Sequence, residues 1–284
     1  MVTGSRPKIP LIKGLEDVPY ITSRTVWDMA QKPDSMIIVG GGLIACEMAH
    51  FFNAMGTEVT VLSRSPRLIK QGEPEVSEIL LTSLRERMHI ETGVEATAAK
   101  RVRGEVEVTA TGGSAESYRA ETLFIAAGRI SNADTLKPEN TGVELDSRGY
   151  IKVDESYQTS KPGIYAFGDA IGKAMYKHVA NKEAELVWHG FTGGHFHHLD
   201  YDKVPYAVFT WPQVASVGLT ERKAASKGLD ILVGEYNYID TAKGAAMDEE
   251  DGYVKVVVED ESYRMLGAHI VGPYAPILIQ EIIN

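Results

Sequence analysis

The chain has 284 residues, is 44% hydrophobic and 24% charged, and carries a formal net charge of −10. This is globular composition, and the negative balance excludes nucleic acid and anionic membrane surfaces as bulk electrostatic partners. Cys46 is the single cysteine, which excludes an internal disulfide and a cysteine-based metal cluster.

The length predicts about two domains. No apolar run reaches the ~18 residues that span a bilayer and no signal peptide is read, so a cytoplasmic protein is expected.

Residues 1–34 contain Thr3-Gly4-Ser5-Arg6-Pro7 and a connector punctuated by Pro10 and Pro19, and read as the tail of a preceding element. Four apolar residues, Met36 to Val39, then predict a buried strand. Gly40-Gly41-Gly42-Leu43-Ile44-Ala45 follows as a Gly-x-Gly-x-x-Ala turn, and residues 43–55 carry helical periodicity. Gly40 permits the tight turn, Gly42 lets backbone approach a pyrophosphate, and Ala45 lets the helix pack close to the strand. The helix start offers free N–H groups to phosphate. With a second strand at 58–62, the segment is a βαβ unit and a dinucleotide site.

After that strand, a site for NAD places Asp or Glu to hold the ribose 2′-hydroxyl. Here stand Ser63 and Arg64, then Arg67 and Lys70. Nothing repels a 2′-phosphate and basic side chains are ready to bind it, so NADP is expected over NAD. Cys46, in the first helical turn, reads as a packing residue, with a dipole-activated thiol as the alternative. Glu47 reads equally as a helix-dipole carboxylate.

Further along, 74–88 is helical, while 105–109 and 118–120 flank a turn at Gly112-Gly113 and predict a hairpin or meander. The run 122–127 is another buried strand, closed by Gly128-Arg129. Strands alternating with helices predict a doubly wound sheet. From about 133 the texture changes: strands are read at 150–153 and 163–169, a helix at 177–188 and a polar, His-rich linker at 190–202. Within it, His195, His197 and His198 read as solvated rather than metal-binding. Strands at 207–210, 252–258 and 265–271, with a helix at 221–227, predict a separate α+β domain. His269 reads as a core histidine. Residues 277–284 read as the start of an amphipathic helix that no cap closes, as expected of an internal fragment.

Taken together, the motifs resemble the pyridine nucleotide–disulfide oxidoreductases, which include dihydrolipoamide dehydrogenase, glutathione reductase, mercuric reductase and mycothione reductase. Thr3 to Pro7 looks like the family's exit from its first FAD segment. Gly128-Arg129-Ile130-Ser131-Asn132 matches its Gly-Arg-x-Pro-Asn turn, with Ser131 in place of proline. The run from Thr159 to Asp169 matches its second FAD motif, and Val204 to Pro212 with Val217 to Glu221 resembles the opening of its dimerisation domain. The segments His178-Val179-Ala180-Asn181 and Gly267 to Pro273 look closest to mycothione reductase.

The resemblance implies an α/β fold: a Rossmann-type FAD/NAD(P)-binding three-layer domain with an inserted β-meander, plus a truncated α+β dimerisation domain. It divides the chain into 1–20 (tail of the FAD-binding segment), 21–132 (NAD(P)-binding), 133–202 (central FAD-contacting segment and linker) and 203–284 (N-terminal part of the dimerisation domain). It implies that NADP is held by Gly40, Gly42, Leu43, Ile44, Ala45, Glu47, Ser63, Arg64, Lys70, Gly128 and Arg129. FAD contacts fall to Gly4, Gly168, Asp169, Met175, Tyr176, Lys177 and His178. Glu47 would sit near nicotinamide and flavin, and Leu43 departs from the tyrosine that covers the flavin in glutathione reductase.

The activity implied is hydride transfer from NADPH to FAD, then reduction of a cysteine pair and a small disulfide substrate. The family's Cys-x-x-x-x-Cys pair and His–Glu dyad are not in these residues, so no catalytic residue is expected within the chain. A homodimer is implied for the full-length protein. The alternatives are an NAD-dependent dihydrolipoamide dehydrogenase, a soluble transhydrogenase and a non-catalytic nucleotide-binding fragment.

Overall fold

The structure is a computed structural model and describes residues 1–284. Two compact units emerge: Met1–Lys8 with Arg129–Val204, and Ile9–Gly128 with Pro205–Asn284. No helix is long and apolar enough to cross a membrane.

The larger unit is built on a five-stranded parallel sheet. Its order is Tyr20–Thr22, Thr122–Ile125, Ser35–Val39, Glu58–Ser63 and His89–Thr92. The central strand alternates its side chains between two cores, as a period of two requires. Met36 and Ile38 enter one with Ala45, Ala49 and Phe52 of helix Leu43–Ala54 and Leu80, Leu81 and Leu84 of helix Pro74–Arg85. Ile37 and Val39 enter the other with Val106, Val108 and Ala110 of an antiparallel meander, Glu95–Val102, Glu105–Thr111 and Ser117–Ala120. Helices, parallel sheet and meander thus form the three layers expected.

The same unit continues into a five-stranded antiparallel sheet, ordered Tyr206–Val208, Val214–Gly218, Met265–Val271, Tyr253–Glu259 and Ile231–Asn237. The sequence pattern offered three of these strands. Val214–Gly218 is short and rich in small residues, and Ile231–Asn237 is an edge strand exposed at most positions, so neither carries a clean alternation. His89–Thr92 and Ala-rich Glu95–Val102 escaped for similar reasons. The terminal amphipathic run is divided into two short helices, Ala275–Leu278 and Gln280–Ile283.

In the smaller unit, strand Ser5–Pro7 pairs antiparallel with Arg129–Ser131. The strands expected at 150–153 and 163–169 are not formed. Those residues make isolated bridges, Leu145 to Ile151, Val153 to Thr159 and Gln158 to Tyr165, and Gly168–Ile171 is a 3₁₀ turn. A single partner per residue holds them extended without a ladder. Helix Lys177–Phe191 outlasts its expected end by three residues, and the linker closes on a 3₁₀ turn at Tyr201–Lys203.

Candidate functional site

The turn after strand Ser35–Val39 separates the work of its three glycines. Gly40 has φ +142°, and a Cβ there would lie 2.3 Å from the Ala126 carbonyl oxygen. At Gly41 a Cβ would meet Ser63 Oγ at 2.1 Å. Both glycines are demanded by the fold. Gly42 is different: its φ of −89° and ψ of −173° suit any residue, and a Cβ would meet nothing within 4 Å. That open space lies at the start of helix Leu43–Ala54, which no side chain caps and whose Cys46 N–H is the first to bond back, to Gly42 O at 3.0 Å. Uncapped N–H groups, a positive dipole end and free approach fit a pyrophosphate.

The loop after strand Glu58–Ser63 is laced to this turn. Ile69 donates its N–H to Gly41 O at 2.8 Å while holding φ +44°, a region where a β-branched residue is strained. Ser63 is fully buried and donates its hydroxyl to Ser65 O at 3.0 Å. Arg64 is 81% exposed and lies 3.7 Å from Glu95, a solvent-screened pair worth about 0.2–1 kcal/mol. Lys70 is exposed, and Leu43 and Ile44 are partly buried at the helix start. Glu47 accepts the Phe209 N–H at 3.0 Å and so ties this helix to the loop after strand Tyr206–Val208. Burial, with the charge of Glu47 adding to it, pushes the Cys46 thiol up to about 12. That leaves the thiol protonated and makes Cys46 a packing residue.

Behind the loop, Glu73 accepts the Glu221 N–H at 2.6 Å and lies 3.6 Å from both Lys255 and His269. Lys255 is 1% exposed and meets Glu221 at 2.7 Å, Glu75 at 3.2 Å and Glu235 at 3.6 Å. Burial by itself would lower the lysine's pKa, but the hydrogen bonds to Glu221 and Glu75 prevail and hold it above its ordinary value. His269 donates its Nε2–H to Leu219 O at 3.1 Å, and burial lowers its pKa. Sequence reasoning passed over this network. Its signal was the inward phase of Tyr253, Lys255 and Val257, all buried, in one strand.

In the smaller unit, Asp169 is the centre. Its Oδ2 accepts the Ser5 hydroxyl at 2.5 Å and lies 3.7 Å from Arg129 Nε. Arg129 donates in turn to Ser5 Oγ at 2.7 Å and Ser5 O at 2.9 Å. The structure therefore groups the Arg129 side chain, expected at the pyridine nucleotide, with Ser5 and Asp169. Gly128, with φ +112°, has open space where a Cβ would stand. Gly4 has φ +68°, its carbonyl accepts the Asn132 N–H, and Asn132 Nδ2 reaches Thr3 O. Ser131, replacing the family's proline, donates to Ala170 O at 3.1 Å and accepts the Ala133 N–H. These bonds pin residues 3–6 and 129–134 around the turn that carries Asp169.

Gly168 takes φ +72°, and its N–H donates to Glu183 Oε2 at 2.6 Å. Glu183, which sequence reasoning missed, is fully buried between Val179 and Val187 on the inner stripe of its helix. Met175 accepts a weak bond from Tyr150 OH at 3.7 Å, and Lys177 donates to Asn181 Oδ1. Tyr176 and His178 stack at 5.5 Å. A carboxylate with one oxygen left outside these bonds, beside a partly open turn, fits a ligand that offers hydroxyl groups, such as a flavin's ribitol chain. His197 meets His189 edge to face at 6.2 Å, and no group of three His, Cys, Asp or Glu side chains is arranged to hold a metal ion.

Residues 1–184 match the family model described as pyridine nucleotide-disulphide oxidoreductase, and residues 204–283 match that family's dimerisation domain. The chain is 38% identical to mycothione reductase of Mycobacterium tuberculosis over its whole length, covering 62% of that protein. It is 32% identical to dihydrolipoyl dehydrogenase of Chlamydia muridarum, over 99% of this chain and 60% of that one. Among solved structures it resembles the HOCl-induced flavoprotein disulfide reductase RclA from Escherichia coli. There the TM-score is 0.87 at 26% identity, over 99% of this chain and 65% of that one. The chain thus spans about three fifths of the length of the curated relatives it matches.

Proposed function

The chain belongs to the pyridine nucleotide-disulphide oxidoreductase family, and from that premise we propose that it is the nucleotide-binding and flavin-contacting portion of an NADPH:disulfide oxidoreductase. The substrate proposed is a low-molecular-weight thiol disulfide of the mycothione type, in keeping with the 38% identity to mycothione reductase. The chemistry supplied when both cofactors are bound is hydride transfer from NADPH to FAD and electron delivery onward to sulfur.

The observation that carries the reading is the uncapped helix start with open space over Gly42, followed by a strand end bearing Arg64 instead of a carboxylate. In this reading Gly42, Leu43, Ile44 and Ala45 present N–H groups and a dipole end to the pyrophosphate. Arg64 and Lys70 hold the 2′-phosphate. Asp169 and the residues from Met175 to His178 hold the flavin. A disulfide cycle needs two thiols and Cys46 is one, buried and protonated, so the redox pair and its proton-transfer partners are assigned to other parts of the longer protein. The match of 204–283 to the dimerisation domain supports a homodimer.

A second reading, an NAD-linked dihydrolipoamide dehydrogenase, is favoured by one feature: Arg64 lies 3.7 Å from Glu95. Titration with NADPH and NADH decides between them. A charge-assisted bond to the 2′-phosphate contributes about 1.5–3 kcal/mol, or roughly ten- to a hundredfold. NADPH should therefore bind at least tenfold tighter, and Arg64→Ala should remove most of that margin while leaving NADH unchanged. Equal affinities, or a preference for NADH, would overturn the NADP assignment.

A further inference from the structure

Glu183 places a carboxyl group on the apolar stripe of helix Lys177–Phe191, where Val179 and Val187 stand four residues to either side, and it is 0% exposed. A carboxylate buried there costs several kcal/mol unless its oxygens are satisfied. They are: Oε2 accepts the Gly168 N–H at 2.6 Å and Oε1 accepts the Tyr201 hydroxyl. Tyr201 in turn lies under Lys173, 5.6 Å from its ring centre, and Tyr157 stands beside it, accepting the Leu199 N–H. A hydrophobe would fill the stripe at lower cost. What the carboxylate adds is a fixed acceptor beneath the turn that presents Asp169.

We propose that Glu183 is a positioning residue of the flavin site: it holds the Gly168 N–H, fixes the left-handed turn and so aims the Asp169 carboxylate, with Tyr201 locking it in place. The inference rests on reading Asp169 as a ligand of the flavin. Ser5 and Arg129 orient the Asp169 side chain, and Glu183 sets the backbone from which that side chain springs. Without an acceptor, the Gly168 N–H would be left unpaired and the turn would lose the bond that selects its conformation.

Amide exchange at Gly168 and FAD affinity, read by quenching of flavin fluorescence, test this on the 284-residue chain. Glu183→Gln keeps an acceptor oxygen for Gly168 and offers its amide to Tyr201, so both readouts should stay within about threefold of wild type. Glu183→Leu should accelerate Gly168 exchange and weaken FAD binding by about tenfold or more, as expected for one lost hydrogen bond to a charged group. Tyr201→Phe should fall between them. A general loss of stability would move the melting temperature without the Gln rescue or the local exchange change.

Wild-type exchange at Gly168 in a folded Glu183→Leu chain would overturn the proposal, as would equal losses in the Gln and Leu variants. Should Glu183→Leu fail to fold, unchanged Gly168 exchange in Tyr201→Phe would overturn it instead. A wild-type chain that does not bind FAD would sink the flavin reading, while Gly168 exchange in the variants would still decide the role of Glu183.

Discussion

Two glycine turns carry the candidate chemistry, and they are built by opposite means. The turn at Gly40–Ala45 in the larger unit works by removing side chains: Gly40 and Gly41 yield to the protein's own atoms, and Gly42 leaves space that nothing in the chain fills. The turn at Gly168–Asp169 in the smaller unit works by adding them. Its backbone is held by a buried carboxylate, and its side chain by a serine and an arginine. The difference matches the ligands proposed for the two turns. A pyrophosphate is large, anionic and satisfied by N–H groups and a dipole. A polyol has weak donors and acceptors, and needs an aimed carboxylate whose orientation has been fixed beforehand.

The sharpest way to break this contrast is to put a methyl group on each of two glycines in the first turn. Gly40→Ala forces a side chain into φ +142° against the Ala126 carbonyl. It should destabilise the larger unit by about 3 kcal/mol, lowering its denaturation midpoint and abolishing nucleotide binding with it. Gly42→Ala should leave the midpoint within ~0.5 kcal/mol yet reduce NADPH affinity about tenfold, because its methyl meets only the space proposed for phosphate. A stability loss at Gly42 comparable to that at Gly40, or nucleotide affinity unchanged, would remove the distinction between fold-demanded and ligand-demanded glycine.

How legible each turn was follows from how local it is. The strand, turn and helix from Ser35 to Ala54 are written within twenty residues, by an apolar run, three glycines and helical spacing, and the structure reproduces them almost to the residue. The second turn was legible only through the eleven-residue pattern from Thr159 to Asp169. Its partners are far away: Ser5 lies 164 residues from Asp169 and 124 from Arg129, and pairing across such spans leaves no periodic trace. Hence the bonds of Arg129 to Ser5 and its approach to Asp169 are not legible in the sequence. Glu183 and Lys255 did leave a trace, a charge in the inward phase of a helix and of a strand. A charged residue at one position of an otherwise apolar stripe invites the question of what neutralises or bonds it.

The smallest expected effects concern proton linkage, and they set the two units apart by sign. His269 in the larger unit faces Glu73, Glu75, Lys255 and the Leu219 carbonyl, and burial lowers its pKa below the ordinary histidine value of 6.5. The unfolded chain then holds a proton on it more readily than the folded one. Its contribution to stability is complete above about pH 6.5 and is lost as pH falls toward the lowered folded value. Glu183 in the smaller unit faces Asp169, Lys173, Tyr201 and, through Tyr201, Tyr157. Burial raises its pKa above the ordinary 4.5, against the opposing bonds from Tyr201 and Gly168. Here the folded chain holds the proton more readily, so this contribution grows as pH falls through the raised value toward 4.5 and is smallest at neutral pH. Glu183→Gln should remove a slope that favours acid, and His269→Gln one that favours neutrality. Denaturation midpoints of the two variants between pH 4.5 and 7.5, each compared with wild type, should therefore diverge in opposite directions on acidification: the His269 variant gaining relative to wild type, the Glu183 variant losing. Parallel curves would mean that neither burial shapes the titration of the fold, and would leave hydrogen bonding, without charge, as the whole contribution of Glu183 to its turn.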